Sequence, residues 1–316
     1  MKKIKLWLGS LLAVQLMVAG SIFFLNQSQQ NNLQSQSLMT FNEGDVNKIV
    51  IQSENDTVEL VKSANQWQLP NLQSVAANEQ KIQQVLSKLS ELNTGWPVAT
   101  TESSHKRFEV AEDKFQKRVT LYNDETPLGD LLLGTSPGFR KTHVRAPDQD
   151  NVFALRLNSY EFPDKAEQWM DKSLLAVNEI TAIKGPDFNL KKTDQDWLLN
   201  TEAGPDATTE VDKKKADDLN RALSSLRVTG VAENAPDFAG NKAVALQVEG
   251  KHQWQYQFLK EGDKYYVKRS DKDQVFTVSQ YDFDRLAGVH LADLAVAKSE
   301  AENNSEDNPD SQNKES

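Results

Sequence analysis

The sequence predicts an α+β protein of two similar lobes, each an antiparallel β-meander with one main amphipathic helix, after a single N-terminal transmembrane helix. Three observations predict it. Residues 6–25 are an apolar run without a charge. Two sets of short strand-like segments are each followed by one amphipathic stretch. A block in the first half recurs in the second at a constant spacing of 123 residues. The organisation expected along the 316-residue chain is a cytoplasmic N-terminus at 1–5, a signal anchor at 6–25, and a Gln/Ser/Asn spacer at 26–40. A first lobe at 41–176, a second at 177–296 and a disordered acidic tail at 297–316 complete it.

The run from Leu6 to Leu25 contains 15 apolar residues. Twenty helical residues span about 30 Å, the hydrocarbon thickness of a bilayer. Lys2, Lys3 and Lys5 precede it, and the next charge is Glu43. The positive-inside rule then keeps the N-terminus in the cytoplasm and translocates the rest. That pattern predicts a single-pass membrane protein with its C-terminal ectodomain on the far side of the membrane. The competing reading is a signal peptide cut after Val18-Ala19-Gly20. Ile22, Phe23, Phe24 and Leu25 carry the apolar run past that point and favour an uncleaved anchor.

In the first lobe Ile49-Val50-Ile51, Val58 to Val61 and Trp67-Gln68-Leu69 read as strands. Ile180 to Ile183, Phe188-Asn189-Leu190 and Trp197-Leu198-Leu199 answer them in the second. The helix after the first set shows Ile82, Val85, Leu86, Leu89 and Leu92 on one face. Its counterpart shows Val211, Leu219, Ala222, Leu223 and Leu226, with Thr209 and Asp212 as a capping-box start. Thr94-Gly95 and Thr229-Gly230 read as helix stops. Next come Arg118 to Leu121 and Ala243 to Leu246. His143-Val144-Arg145 with Asp148, Asp150, Val152 and Phe153 matches Tyr266-Val267-Lys268 with Asp271, Asp273, Val275 and Phe276. Tyr160-Glu161-Phe162 answers Tyr281-Asp282-Phe283. Leu128 to Leu133, Thr142 to Arg145 and Val152 to Leu157 complete the first meander. Trp254, Tyr256 and Phe258 alternate with glutamines, and this row is expected to face inward rather than to stack sugars.

With no cysteine, the chain has no disulfide, thiolate metal site, cysteine nucleophile or lipid-modified cysteine. The net charge of −10 divides into +3 before the apolar run, −9 over the lobes and −4 on the tail. An acidic ectodomain argues against nucleic acid as a partner. Gly134-Thr135-Ser136-Pro137-Gly138 fits the G-x-S-x-G hydrolase pattern. Pro137, however, has no N–H for an oxyanion hole, and Phe139 to Arg145 read as turn and strand rather than helix. Asp148/Asp150 and Asp271/Asp273 lack the further ligands and the glycine of a calcium loop. His105, His143, His252 and His290 form no metal-binding pair, and no phosphate-binding glycine motif is present. No catalytic, cofactor-binding or metal residue is therefore assigned, and no cofactor is expected. One asymmetry stands out: between Gly95 and Val119 the first lobe is ten residues longer than the second between Gly230 and Val244. The extra stretch holds Ser103, Ser104, His105, Lys106 and Arg107, and reads either as a specificity loop or as surface decoration.

Gln66-Trp67-Gln68-Leu69, Leu131-Leu132-Leu133-Gly134 and Val152-Phe153-Ala154-Leu155, within the wider pattern of anchor, hairpin, helix and meander, resemble the bacterial family catalogued as domain of unknown function 4340. The likeness covers most of 45–294. It brings no catalytic residues; it implies a setting beside ABC-type export systems and gliding-motility-type components. The expected function is a non-enzymatic, membrane-anchored envelope protein, an accessory or partner-binding subunit of an ABC-type transport system. Its partners would be the membrane, through one N-terminal helix, and a transporter component. The alternative is a periplasmic hydrolase or ligand-binding domain acting on glycan or peptide.

Overall fold

The computed structural model describes residues 36–194, 196–200, 208–239 and 242–296, with Gln15, Met17, Val18 and Ser21. The chain divides into two compact units, Met1–Asp171 and Lys172–Ser316.

In the first unit an eight-stranded antiparallel sheet runs in the order β10-β9-β8-β7-β1-β2-β3-β4. Its strands are β1 (Lys48–Gln52), β2 (Thr57–Ser63), β3 (Gln66–Leu69), β4 (Val75–Ala76), β7 (Lys117–Asn123), β8 (Thr126–Leu133), β9 (Thr142–Arg145) and β10 (Phe153–Leu155). Helix α1 (Glu79–Ser90), the short α2 (His105–Phe108) and a two-stranded ribbon of β5 (Val110–Ala111) and β6 (Lys114–Phe115) lie between β4 and β7 in sequence. β1 pairs with β2 on one side and β7 on the other, which sets Ile49 opposite Leu60 and Leu121, all fully buried. Each such side chain removed from water contributes about 1.5–3 kcal/mol. Helix α1 starts at Asn78, whose side chain accepts from the Lys81 N–H, and buries Ile82, Val85, Leu86 and Leu89. Leu38 and Met39, inside the stretch read as spacer, are buried here too, and Ser37 bridges to Asn93.

The second unit holds a nine-stranded sheet, β14-β13-β12-β11-β16-β17-β18-β19-β15. The strands are β11 (Ala182–Lys184), β12 (Asn189–Lys192), β13 (Trp197–Asn200), β14 (Thr208–Thr209), β15 (Val228–Val231), β16 (Val244–Glu249), β17 (Gln253–Glu261), β18 (Lys264–Arg269) and β19 (Val275–Val278). Its helices are α3 (Lys213–Ser224), α4 (Gln280–Ala287) and α5 (Leu291–Leu294). From β14 to β19 the strand order repeats that of the first unit from β4 to β10. Val144 pairs with Phe153 as Val267 pairs with Phe276, at the 123-residue offset.

The expected fold class is corrected. The protein is mostly antiparallel β-sheet with few helices, because meander pairing satisfies most of the backbone and leaves the helices as short covers. One main amphipathic helix per lobe does not describe it. The second unit adds α4, which buries Leu286 and Ala287, where the first has only the 3-10 turn Ser159–Glu161. The predicted transmembrane helix is not part of the described fold either. Its segment, 6–25, falls outside the described residues apart from Gln15, Met17, Val18 and Ser21, and among the described residues no helix is long and apolar enough to cross a membrane. The tail 297–316 also lies outside the described residues.

Helix limits differ from the sequence reading for local reasons. Asp212 is itself the N-cap of α3, accepting from the Lys215 N–H, whereas Thr209 belongs to β14. Val211 bridges to Ala295 instead of starting the helix, and Thr229-Gly230 lies within β15. The aromatic row on β17 turns inward: Tyr256 and Phe258 are fully buried and Trp254 half-buried.

Burying Tyr256 requires partners for its hydroxyl. It donates to the Leu175 carbonyl at 2.6 Å and accepts from Arg269 Nη1 at 3.3 Å. Arg269, also buried, donates Nε and Nη2 to the two Asp271 oxygens at 2.5 and 2.9 Å and Nη2 to the Leu174 carbonyl at 3.1 Å. Burial opposes charge on both residues of the pair. The Asp271 contacts nevertheless hold Arg269 above its ordinary pKa, and those of Arg269 hold Asp271 below the ordinary carboxylate range. A carboxyl depressed by folding contributes stability above its unfolded pKa and loses it as pH falls through the folded value. Asp271→Asn should therefore cost about 2 kcal/mol at pH 7, less than the roughly 3–5 of a fully buried pair because Asp271 keeps 41% of its side chain in solvent. Urea denaturation at pH 7 and pH 2.5 measures this, and the variant's penalty should shrink at the lower pH, which lies below the ordinary carboxylate value of 3.8. A penalty that stays constant with pH would contradict the pairing.

Candidate functional site

The ten extra residues of the first unit lie in the stretch that builds α2 and the β5–β6 ribbon, and part of their work is structural. Val110 joins Leu132 of β8 and Val152 in a small buried cluster, with Ala99, Phe108 and Phe115 packed against it. The stretch thus covers a patch of sheet that would otherwise face water. Its approach is close. A Cβ at Gly134 would lie 2.0 Å from the Phe108 carbonyl oxygen, so only glycine fits there. The Thr135 N–H donates to that same carbonyl at 2.9 Å.

This packing leaves a polar cavity of about 710 Å³, lined among others by Glu102, His105, Lys106, Glu112, Arg145 and Asp150. His105 is buried, and its Nε2 lies 2.9 Å from the Asp150 carbonyl oxygen, a contact that makes Nε2 the donor. Lys106 pairs with Asp113 at 2.6 Å; the hydrogen bond raises the lysine and lowers the aspartate from their ordinary pKa values. Arg145 on β9 keeps only 4% of its surface. Its Nε donates to the Val110 carbonyl at 2.7 Å, and its Nη1 meets the carbonyls of Ala146, Pro147 and Gln149 at 3.4, 3.1 and 3.0 Å. The guanidinium therefore clips the inserted ribbon to the turn after β9. Among the described residues no carboxylate lies within ion-pair reach of it.

Of the residues singled out in the sequence, Ser103 is exposed at the cavity rim, and Ser104 is buried with its hydroxyl donating to the Thr101 carbonyl at 2.6 Å. Arg107 lies 4.5 Å from the Phe108 ring centre and outside the cavity. Ser136, the would-be nucleophile, donates its proton to the Lys141 carbonyl at 2.6 Å and accepts from the Gly138 N–H, in a loop that leads straight into β9. Asp148 and Asp150 are exposed turn residues, and Asp271 is held by Arg269. Among the described residues no three metal-ligating side chains converge. The sequence marks Arg145 only as one position of the repeated block, without a site role, and does not single out Glu112. A lone arginine at the end of a strand carries no spacing signal, and carbonyl cages leave no trace in side-chain identity.

His143, on β9 beside this region, is buried against Phe108 with ring centres 4.4 Å apart, and its Nδ1 lies 2.9 Å from the Thr135 hydroxyl. Burial pushes its pKa below the ordinary histidine value, the Thr135 backbone opposes that, and the nearby Arg107 charge adds to it. The unfolded chain then binds the proton more readily, so stability is full above pH about 6.5 and is lost as pH falls from there toward the folded value. In urea titrations from pH 7.5 to 5, His143→Gln should lose less stability on acidification than the parent. Parallel curves for the two proteins would rule out this histidine as the source.

A family model described as Domain of unknown function (DUF4340) matches residues 67–246, more than half of the chain, running from β3 into β16 and including the cavity. No curated protein and no solved structure matches the chain. With the match extending through both units, the chain belongs to the family of the domain of unknown function 4340.

Proposed function

We propose that the protein is a non-enzymatic, partner-binding component of a bacterial cell envelope, attached to the membrane through its apolar stretch 6–25 and serving as an accessory subunit of an ABC-type transport system. The observation that carries the binding role is the loop between β8 and β9. Phe139 at its tip is 96% exposed, and Phe139 and Arg140 both hold left-handed backbone conformations, with φ of 53° and 56°. The two left-handed residues form the two-residue turn closed by the Gly138–Lys141 bridge, as Ala64-Asn65 does between β2 and β3, and the fully exposed aromatic at this tip gains nothing in the free protein. Such a tip is suited to burial in a partner, where an aromatic anchor flanked by Arg140 and Lys141 supplies contact area and charge. Trp96 and Tyr160, 69% and 86% exposed, add apolar surface on the same unit.

A second reading, ligand binding, is favoured by the polar cavity around Arg145. Glycan stacking has less support, since Trp67, Trp197 and Tyr256 are turned into the cores.

The docking role predicts that Phe139→Ala leaves the melting temperature unchanged while reducing recovery of a transporter component about tenfold, the usual scale of a lost aromatic anchor. Full-length protein would be crosslinked in membranes, gently solubilised and purified with its neighbours. Failure of the parent protein to bring down any envelope component, or equal recovery by the variant, would sink this proposal.

A further inference from the structure

Arg145 and Arg269 are both buried arginines, yet they are neutralised differently. Arg269 has a carboxylate, a phenol and a carbonyl. Arg145 has carbonyls alone; at the 123-residue offset it corresponds to Lys268 rather than to Arg269, and Asp148, the counterpart of Asp271, is exposed and forms no pair with it. A guanidinium has five N–H donors. The Nε hydrogen of Arg145 goes to Val110, and the two on Nη1 are shared by Ala146, Pro147 and Gln149. The two hydrogens of Nη2 have no protein acceptor among the described residues. Every fully buried side-chain nitrogen and oxygen described has a partner, so Nη2 must reach solvent, and the cavity is where Arg145 meets it. The clip to the β5–β6 ribbon accounts for Nε and Nη1. It does not account for Nη2 or for a buried positive charge without a counter-ion.

The rest of the cavity wall has the opposite character. Lys106 is taken by Asp113, while Glu102, Glu112 and Asp150 line the cavity with no ion pair among the described residues. A simple anion would satisfy Arg145 and be repelled by these three carboxylates. A simple cation would suit them and leave Arg145 as it is. A ligand carrying both charges satisfies both sides, and the volume of about 710 Å³ lies within the range of small-ligand pockets. We propose that this cavity binds the zwitterionic ends of short peptides, with the free α-carboxylate on Arg145 Nη2 and the α-ammonium at the rim formed by Glu102, Glu112 and Asp150. This rests on the ligand-binding reading and is independent of Phe139.

The test is calorimetry on the full-length protein in detergent with a mixed pool of tripeptides. The pool is offered free, C-terminally amidated, N-acetylated, and capped at both ends, beside inorganic phosphate. The free pool should bind, with amidation weakening it by about tenfold or more and acetylation severalfold, as expected for losing charge-assisted hydrogen bonds. Arg145→Lys should reproduce the loss from amidation. Because Arg145 also holds the ribbon, the exposed pair Glu102→Gln with Glu112→Gln serves as the second variant, and it should weaken the free pool while leaving the acetylated one as tight or tighter, since the repulsion of its carboxylate is relieved. Doubly capped peptides binding as well as free ones would overturn the zwitterion assignment but leave ligand binding standing. Phosphate matching the free pool would likewise overturn it, showing an anion site only. No binding by any pool at millimolar concentration would overturn it and remove the support for a ligand pocket as well.

Discussion

Each unit depends on one non-local pairing. β1 must find β7 across the whole stretch that carries α1, α2 and the β5–β6 ribbon, and in the second unit β11 must find β16 across α3 and β15. Closing loops of that length costs conformational entropy before any contact repays it. What repays it is the register that sets Ile49 against Leu121 and Ile51 against Val119, and Ile183 against Val248, with all six side chains fully buried. A shift by one residue would turn every one of them to the opposite face, so the pairing is fixed by burial rather than by any special residue. Everything between the paired strands is then free to vary in length, since both of its ends are held.

That freedom explains why the units differ where they do. The sheets follow one strand order, and the differences gather in segments that cover their faces and edges. In the first unit the inserted ribbon brings Val110 over Leu132 and Val152. In the second, Ala232 packs on Tyr266 and Val275 with Phe238 against them. Both solve the same problem, an apolar sheet face that cannot be left in water. Each leaves a polar cavity beside it, of about 710 Å³ in the first unit and about 630 Å³ in the second. The contrast lies in the arginines. In the second unit Arg269 is locked by Asp271 into a purely internal network, whereas in the first the turn after β9 offers carbonyls and leaves part of the guanidinium unspent.

Much of the sheet is legible in the residues. Alternation marks β17, the tripled leucine at 131–133 marks a strand buried on both faces, and the matched block at 143–153 and 266–276 marks paired strands whose registers agree. Helix ends are less legible. Thr209 and Asp212 are both good caps, and which one starts α3 is decided by β14 claiming the first. Thr229-Gly230 has the composition of a helix stop, but pairing with β19 makes it a strand. Tyr160 and Tyr281 begin matching triplets, yet one lies in a 3-10 turn and the other in α4, since equal local sequence does not guarantee equal neighbours. The overall class is misjudged from sequence for a related reason. Amphipathic helices give strong periodic signals and draw notice beyond their share of the fold, while two-to-four-residue strands such as β4, β11 and β14 give almost none.

The site is legible only by subtraction. Comparing the two halves isolates the inserted stretch and, within it, His105 and Lys106, which do line the cavity. The comparison places Arg145 in the matched block but gives no sign of its role, because its neighbours in sequence are those of an ordinary strand end and its partners are main-chain oxygens brought in from Val110 and the turn after β9. A cation held only by carbonyl dipoles leaves a net positive charge at its site, whereas one paired with a carboxylate leaves none. A buried charge without a counter-ion keeps electrostatic capacity for a ligand, and Arg145 lies in the unit that carries the insertion, where its counterpart Lys268 in the other unit is only half-buried.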